Sequence, residues 1–286
     1  MNLHKLFALF ILLLKRLFAD EAVPLAGNIA FRIVFSLFPF LIFLTSLSGF
    51  FGSAELANSI IQFLLSVMPS SLVNPLSNEI ISILTVPRAG LLSLAAALTV
   101  WSAMGGVDSV RVSLNRAYDT RETRPLWLLY LQNVLFVIVT ATLMLALALL
   151  LVALPAFLQA LEAWAPHRFQ DYASISWWRL PLAISLLVIG LYAAHIFLPN
   201  RRLPLADITP GIALTVVIWL ALTTGFSWYL RNFSNFTSTY ASLSGLFAAM
   251  FFVYLAALVL IFGGEVNRTI MQVRQGKAFN DEPSES

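Results

Sequence analysis

The sequence predicts an all-α, polytopic membrane protein with six transmembrane helices, extra interfacial amphipathic helices and both termini on the cytoplasmic side. Three observations predict it. Hydrophobic residues make up 59% of the 286-residue chain, charged residues 11%, and the mean hydropathy is +0.86; a soluble domain carries roughly 25% charged residues. Several apolar runs reach the ~20 residues that a helix needs to cross a ~30 Å hydrocarbon core. The cations gather in alternate connections between those runs, the pattern that sets orientation in a bilayer. The chain divides into an N-terminal interfacial helix (1–24), a membrane domain (25–270) and a cytoplasmic tail (271–286).

Residues 3–18 hold an apolar core too short to span, closed by Lys15 and Arg16 and followed by Asp20 and Glu21. No small-residue cleavage site follows it, so it reads as an amphipathic helix on the cytoplasmic leaflet and not as a signal peptide. The first span, 25–51, carries Arg32 in its early turns and Pro39 near its middle. Pro39 lacks an N–H and kinks a helix, and Ser36 one turn earlier offers local compensation. Residues 53–88 place Asn58, Gln62, Asn78 and Glu79 among apolar clusters at helical spacing, punctuated by Pro69, Pro75 and Pro87. They read as two amphipathic helices that lie at, or dip into, the outer interface.

The second span, 89–107, has a ridge of small residues, Ala95, Thr99 and Ala103, and ends at Gly105-Gly106. Pro125 opens the third span, 126–153, and Pro155 ends it. Trp164, Trp177 and Trp178 mark an interfacial segment before the fourth span, 180–198, which Pro199-Asn200-Arg201-Arg202 closes. Thr209 and Pro210 have the chemistry of an N-cap and first helical position, which starts the fifth span, 209–229. The sixth span, 243–264, carries the small ridge Ala241, Gly245, Ala249 and ends in Gly263-Gly264-Glu265. Pro39, Gly105, Gly106, Gly263 and Gly264 are the candidate kink or gating positions.

Counting Lys and Arg tests this map. With both termini inside, thirteen cations lie on the inner side, and Arg88, Arg168, Arg179 and Arg231 are the four outside. The inner loop from Trp101 to Pro125 holds Arg111, Arg116, Arg121 and Arg124. On a continuous helix Arg111, Asn115, Tyr118 and Glu122 share a face, with Asp108 one turn before Arg111. Two readings stand side by side: a charged, water-facing extension that anchors topology, and a set of turns that lines a polar entrance.

Several stretches together resemble the YihY/BrkB family of bacterial inner-membrane proteins. They are Pro24-Leu-Ala-Gly-Asn-Ile-Ala-Phe-Arg-Ile-Val-Phe-Ser-Leu-Phe-Pro39, Trp101-Ser with Asn115-Arg-Ala-Tyr118 and Arg124-Pro125, Leu198-Pro-Asn-Arg201 with Pro210-Gly211, and Gly263-Gly-Glu-Val-Asn267. The resemblance covers about residues 20–270 and implies a six-span inner-membrane protein of unestablished molecular activity. Arg32 and Tyr240-Ala241 depart from the family pattern.

A ribonuclease label has at times been attached to that family, and the residues argue against it here. Metal-dependent nucleases need clustered His, Asp or Glu ligands at a water-accessible surface. His4, His167 and His195 are far apart, and His195 reads as a structural residue near the inner end of the fourth span. No aromatic and basic platform for single strands appears, so nucleic acid is not an expected partner. With no Cys, the chain has no disulfides, thiolate metal sites or Cys nucleophiles. Ser244-Gly245 lacks the first Gly of a nucleophile elbow. The chain therefore reads as a non-enzyme without metal or cofactor.

Two function classes remain: transport or translocation of a lipid or other amphiphile, and a non-transporting scaffold or envelope-integrity factor. Membrane lipids are expected partners of either. The kinked first span, the amphipathic segments and the lack of charge at mid-depth favour an amphiphilic substrate over a small ion. A polar layer near the cytoplasmic face is the candidate site. At ~1.5 Å per residue, Arg32 is about 10 Å into its span, while Asp108 and Glu265 are about 27 and 33 Å along theirs. Arg32 is expected to pair with Glu265 or Asp108, with Arg111 and Asn115 close by; the alternative is that the acids reach interfacial water and Arg32 snorkels.

Overall fold

The computed structural model describes residues 3–51, 58, 61–62, 89–148, 179–233 and 241–275, and these are helical apart from short connections. In chain order the helices are α1 (Leu3–Ala19), α2 (Ala22–Phe51), α3 (Ala89–Ala117), α4 (Leu126–Ala148), α5 (Arg179–Phe197), α6 (Leu205–Phe233) and α7 (Ala241–Arg274). The all-helical expectation holds for the described residues. Helices α2, α3, α4, α6 and α7 are each long and apolar enough to cross a membrane. The apolar part of α5, Pro181–Phe197, is shorter; at ~1.5 Å per residue it spans about 26 Å. The expected Trp164 segment, Tyr240 and nearly all of residues 53–88 lie outside the described residues.

Three boundaries differ from expectation, each for a physical reason. Helix α3 runs through Gly105-Gly106 to Ala117, and α7 through Gly263-Gly264 to Arg274. Gly costs only about 1 kcal/mol per position in a helix, so these pairs end the apolar run without ending the backbone ladder. Thr209 is no cap: α6 begins at Leu205, and the Thr209 hydroxyl donates to the Leu205 carbonyl one turn back at 2.6 Å. Pro210 therefore sits inside α6. Pro39 likewise lies within a continuous α2, where the Ser36 hydroxyl donates to the Ile33 carbonyl at 2.7 Å.

Two connections position the polar residues. Asp119 adopts φ 51°, and the amides of Asp119 and Thr120 turn back onto the carbonyls of Arg116 and Asn115. This paired closure ends α3 with a residue type that tolerates the left-handed region. Glu21, at φ 56°, sits in the two-residue turn that separates α1 from α2.

The chain forms two compact units: residues 1–22, 110–220 and 259–286 in one, residues 23–109 and 221–258 in the other. In the second, Phe226 and Phe252 join α6 to α7 with ring centroids 5.2 Å apart. There α2 turns Phe31, Phe35 and Phe38 outward, a surface suited to acyl chains. The first unit holds the buried polar residues described next.

Candidate functional site

Helix α7 organises the first unit because successive residues face different neighbours. Gly263 and Asn267, one turn apart, face α6. The Asn267 amide oxygen accepts the Gly211 N–H at 2.6 Å. A Cβ on Gly211 would overlap the Gly263 carbonyl and the Asn267 side chain, and one on Gly263 would overlap the Thr215 hydroxyl. Glycine at both positions is what lets the two backbones meet. Gly264 faces the end of α3, where a Cβ would press on Ala117 at 3.0 Å.

Asn267 then reaches Tyr118. Its amide nitrogen donates to the Tyr118 hydroxyl at 3.0 Å, and that hydroxyl lies 2.6 Å from His195 Nδ1. With the phenol accepting from Asn267, its proton is free to point at Nδ1, which leaves the histidine hydrogen on Nε2. Tyr118, His195 and Asn267 are all fully buried. Burial raises the Tyr118 pKa, keeping the phenol protonated, and the Asn267 bond only partly opposes this. The chain Gly211–Asn267–Tyr118–His195 thus ties α6, α7, the end of α3 and α5 together through side chains.

The cluster leaves valences open. Among the described residues, His195 Nε2, the Thr215 hydroxyl and both carboxylate oxygens of Glu265 are buried without a hydrogen-bond partner. Buried polar groups are nearly always satisfied, so each exception calls for a cause. The charged groups that act on Glu265 are the Asp20 carboxylate, of like charge, and the guanidiniums of Arg268 and Arg16. Arg268 donates to Asp20 at 2.9 Å and to Asp119 at 3.0 Å, and Arg16 donates to the Thr269 hydroxyl at 3.1 Å.

A second centre is built on Glu122. Arg124 binds its carboxylate through Nε and Nη2, both at 2.8 Å, and through its own amide at 3.1 Å. Arg111 Nη1 and Asn115 Nδ2 donate to the same carboxylate. The hydrogen bonds from Arg124 are the main cause that lowers the Glu122 pKa to about 2. Arg124 also donates to the Leu198 carbonyl at 2.7 Å, and the Asn200 amide N–H donates to Asn115 Oδ1 at 2.8 Å. Asn200 further donates to the Arg121 carbonyl and the Thr123 hydroxyl. The loop after α3 is thereby fastened to the loop after α5.

These contacts re-sort the sequence-predicted site. Arg111 and Asn115 do share a helical face, but Tyr118 and Glu122 lie beyond the end of α3. Glu122 meets them because the loop folds back. Arg32 and Asp108 belong to the second unit, while Arg111, Asn115 and Glu265 belong to the first. Arg32 is exposed, and among the described residues its partners are Asn28 Oδ1 at 3.1 Å and the Gly105 carbonyl at 3.4 Å, not a carboxylate. Gly105 leaves room for that guanidinium, since a Cβ there would lie 2.9 Å from Arg32 Nη1. His195, expected to be fully satisfied, is bonded at one nitrogen only. Sequence reasoning missed Asp20 and Thr215. Asp20 looked like a flanking charge, and Thr215 is one hydroxyl in an apolar run.

Among the described residues no group of three His, Asp or Glu side chains is arranged to hold a metal ion. The chain is 29% identical over 266 residues to the ribonuclease-like protein YfkH of Bacillus subtilis, covering 89% of this chain and 93% of that one. It is 23% identical over 289 residues to a UPF0761 membrane protein of Alteromonas mediterranea, covering 99% and 92%. A UPF0761 membrane protein of Xanthomonas campestris pv. campestris is 24% identical over 265 residues, covering 91% of this chain and 60% of the relative. No solved structure matches the chain significantly. The virulence factor BrkB family matches residues 13–286. On that match, together with the spanning helices that carry its polar cluster, the chain belongs to the BrkB family of membrane proteins.

Proposed function

We propose that this protein crosses the bacterial inner membrane six times, with both termini in the cytoplasm, and moves a lipid or another amphiphile across it. The observation that carries the reading is the buried cluster with open valences at His195, Thr215 and Glu265. Each unsatisfied buried group costs about 1–3 kcal/mol, which a purely structural bundle has no reason to retain. Ionisable groups inside membrane proteins are most often those that handle a substrate or proton. An amphiphile suits a spanning region that is apolar over most of its length and polar near one end. No chemical conversion and no cofactor are invoked.

A non-transporting scaffold is the second reading. It is favoured by the Glu122 centre, where Arg111, Asn115 and Arg124 all serve to lock loops together. Labelled lipids of several classes in proteoliposomes separate the two. Transport predicts faster exchange between leaflets with wild-type protein than in protein-free vesicles, and a lower rate for folded His195→Gln. Equal rates with and without protein across the lipid classes would leave the scaffold.

A further inference from the structure

Arg32 sets a positive charge on the outer surface of a helix that is apolar enough to span. It lies within the apolar stretch Ala22–Phe43 of α2, about 15 Å from the first residue of that helix at ~1.5 Å per residue. The side chain is exposed, and among the described residues both of its acceptors are neutral oxygens. Asn28 Oδ1 takes the Nε proton at 3.1 Å, and the Gly105 carbonyl takes one from Nη1 at 3.4 Å. Among the described residues no ion pair joins Arg32 to Asp108, which follows Gly105 by one turn on α3. A guanidinium carries five N–H groups in a flat fork, so three stay open here: one on Nη1 and both on Nη2. An uncompensated charge beside hydrocarbon is costly, and such groups find an anion.

Two contacts hold the fork in place. Asn28 stands one turn nearer the start of α2 and draws the guanidinium towards that end of the helix. Gly105 provides the seat, since a Cβ there would lie 2.9 Å from Nη1. The flanks are apolar: Phe31 and Phe35 stack at 5.8 Å on the exposed surface of α2, and Trp101, one turn before Gly105, is 67% exposed. All these residues belong to the second compact unit. A fixed cation with open donors beside exposed rings is the complement of a phosphodiester that carries acyl chains.

We propose that Arg32, held by Asn28 and the Gly105 carbonyl, binds the phosphodiester of an anionic phospholipid in the leaflet where α2 begins. The open N–H groups of Nη1 and Nη2 donate to the two non-bridging phosphate oxygens, and the acyl chains lie along Phe31 and Phe35. A headgroup with net negative charge is favoured, because a zwitterionic one brings its own ammonium to the phosphate. The site requires only that α2 lies in a bilayer; it does not rest on the transport reading.

Native mass spectrometry of the full chain, released from nanodiscs of phosphatidylethanolamine and phosphatidylglycerol, tests the site by counting retained lipids. The wild type should keep one more phosphatidylglycerol than Arg32→Gln, with phosphatidylethanolamine retained alike by both. Gly105→Ala should lower phosphatidylglycerol retention severalfold, because its Cβ pushes Nη1 off the seat. That variant displaces only the end of a flexible side chain, so it carries the test if Arg32→Gln does not fold. Equal phosphatidylglycerol retention by the wild type and a folded Arg32→Gln overturns the proposal. Loss of phosphatidylethanolamine in step with phosphatidylglycerol does so too, since the site would then not select charge. A wild-type dimer that Arg32→Gln dissociates also overturns it, because a second copy would then cover this face. Retention as expected without leaflet exchange in proteoliposomes keeps the lipid site and removes the transport reading.

Discussion

Glu122 gathers three donors, Arg111, Asn115 and Arg124, on one carboxylate that is still partly exposed. Its pKa is lowered to about 2 from an ordinary 4.5, chiefly by the Arg124 hydrogen bonds. The sign follows from that depression: the stabilisation is fully present above the unfolded value and is lost as pH falls towards about 2. Glu122→Gln should flatten the loss of stability across that acid range. At neutral pH it should cost on the order of 1–2 kcal/mol, allowing for partial exposure; thermal melts of both proteins against pH check this. Tyr118→Phe removes the hydroxyl that joins Asn267 to His195 and strands both partners in a buried place. A loss of roughly 1–3 kcal/mol is expected. A melting temperature unchanged by that substitution would mean that the bridge contributes nothing. Arg111, Asn115 and Glu265 were legible as site candidates because charge and amide groups are rare in such a sequence. The bridge from Tyr118 to His195 was not legible, because it joins residues 77 apart in the chain and depends on packing alone.

At the scale of elements, the five helices long and apolar enough to cross a membrane were legible from hydropathy, whereas helix ends were not. Apolarity stops at Gly105-Gly106 and Gly263-Gly264, but hydrogen bonding continues, and lipid solubility and helix propensity are separate properties. The glycines in α7 serve contact: Gly263 admits the Thr215 hydroxyl and the α6 backbone. Gly211→Ala should therefore be the more damaging of two alanine substitutions, since its Cβ meets backbone and a buried amide, whereas Gly190 has open space around it. A loss of about 1–3 kcal/mol is expected at Gly211 from overpacking. At Gly190 the expected change is neutral or favourable, by up to about 1 kcal/mol, from helix propensity. Unfolding in denaturant at both positions provides the comparison. Equal effects would remove the close approach of α6 and α7 as the reason for the glycine.

For the whole molecule, the absence of native Cys makes topology measurable. Single cysteines at Ser53, Gln170 and Ser238 should react with an impermeant thiol reagent from outside, and those at Thr120, Leu203 and Ser284 should not. Outside labelling at Thr120 would invert the map. The membrane class and family were legible because composition and motif order are global properties that survive errors at any one residue. Activity was not, because most polar residues serve both topology and local locking, and sequence alone does not separate those roles from substrate contact. The central claim is that the buried polar cluster serves movement of an amphiphile across the bilayer. Its most direct test is the leaflet exchange rate of labelled lipids in sealed proteoliposomes, with wild type, folded Tyr118→Phe and protein-free vesicles compared side by side. The account predicts a rate above the protein-free value for wild type and a severalfold lower protein-dependent rate for the variant. Wild-type exchange no faster than in empty vesicles for every lipid class, or exchange indifferent to Tyr118, would contradict it.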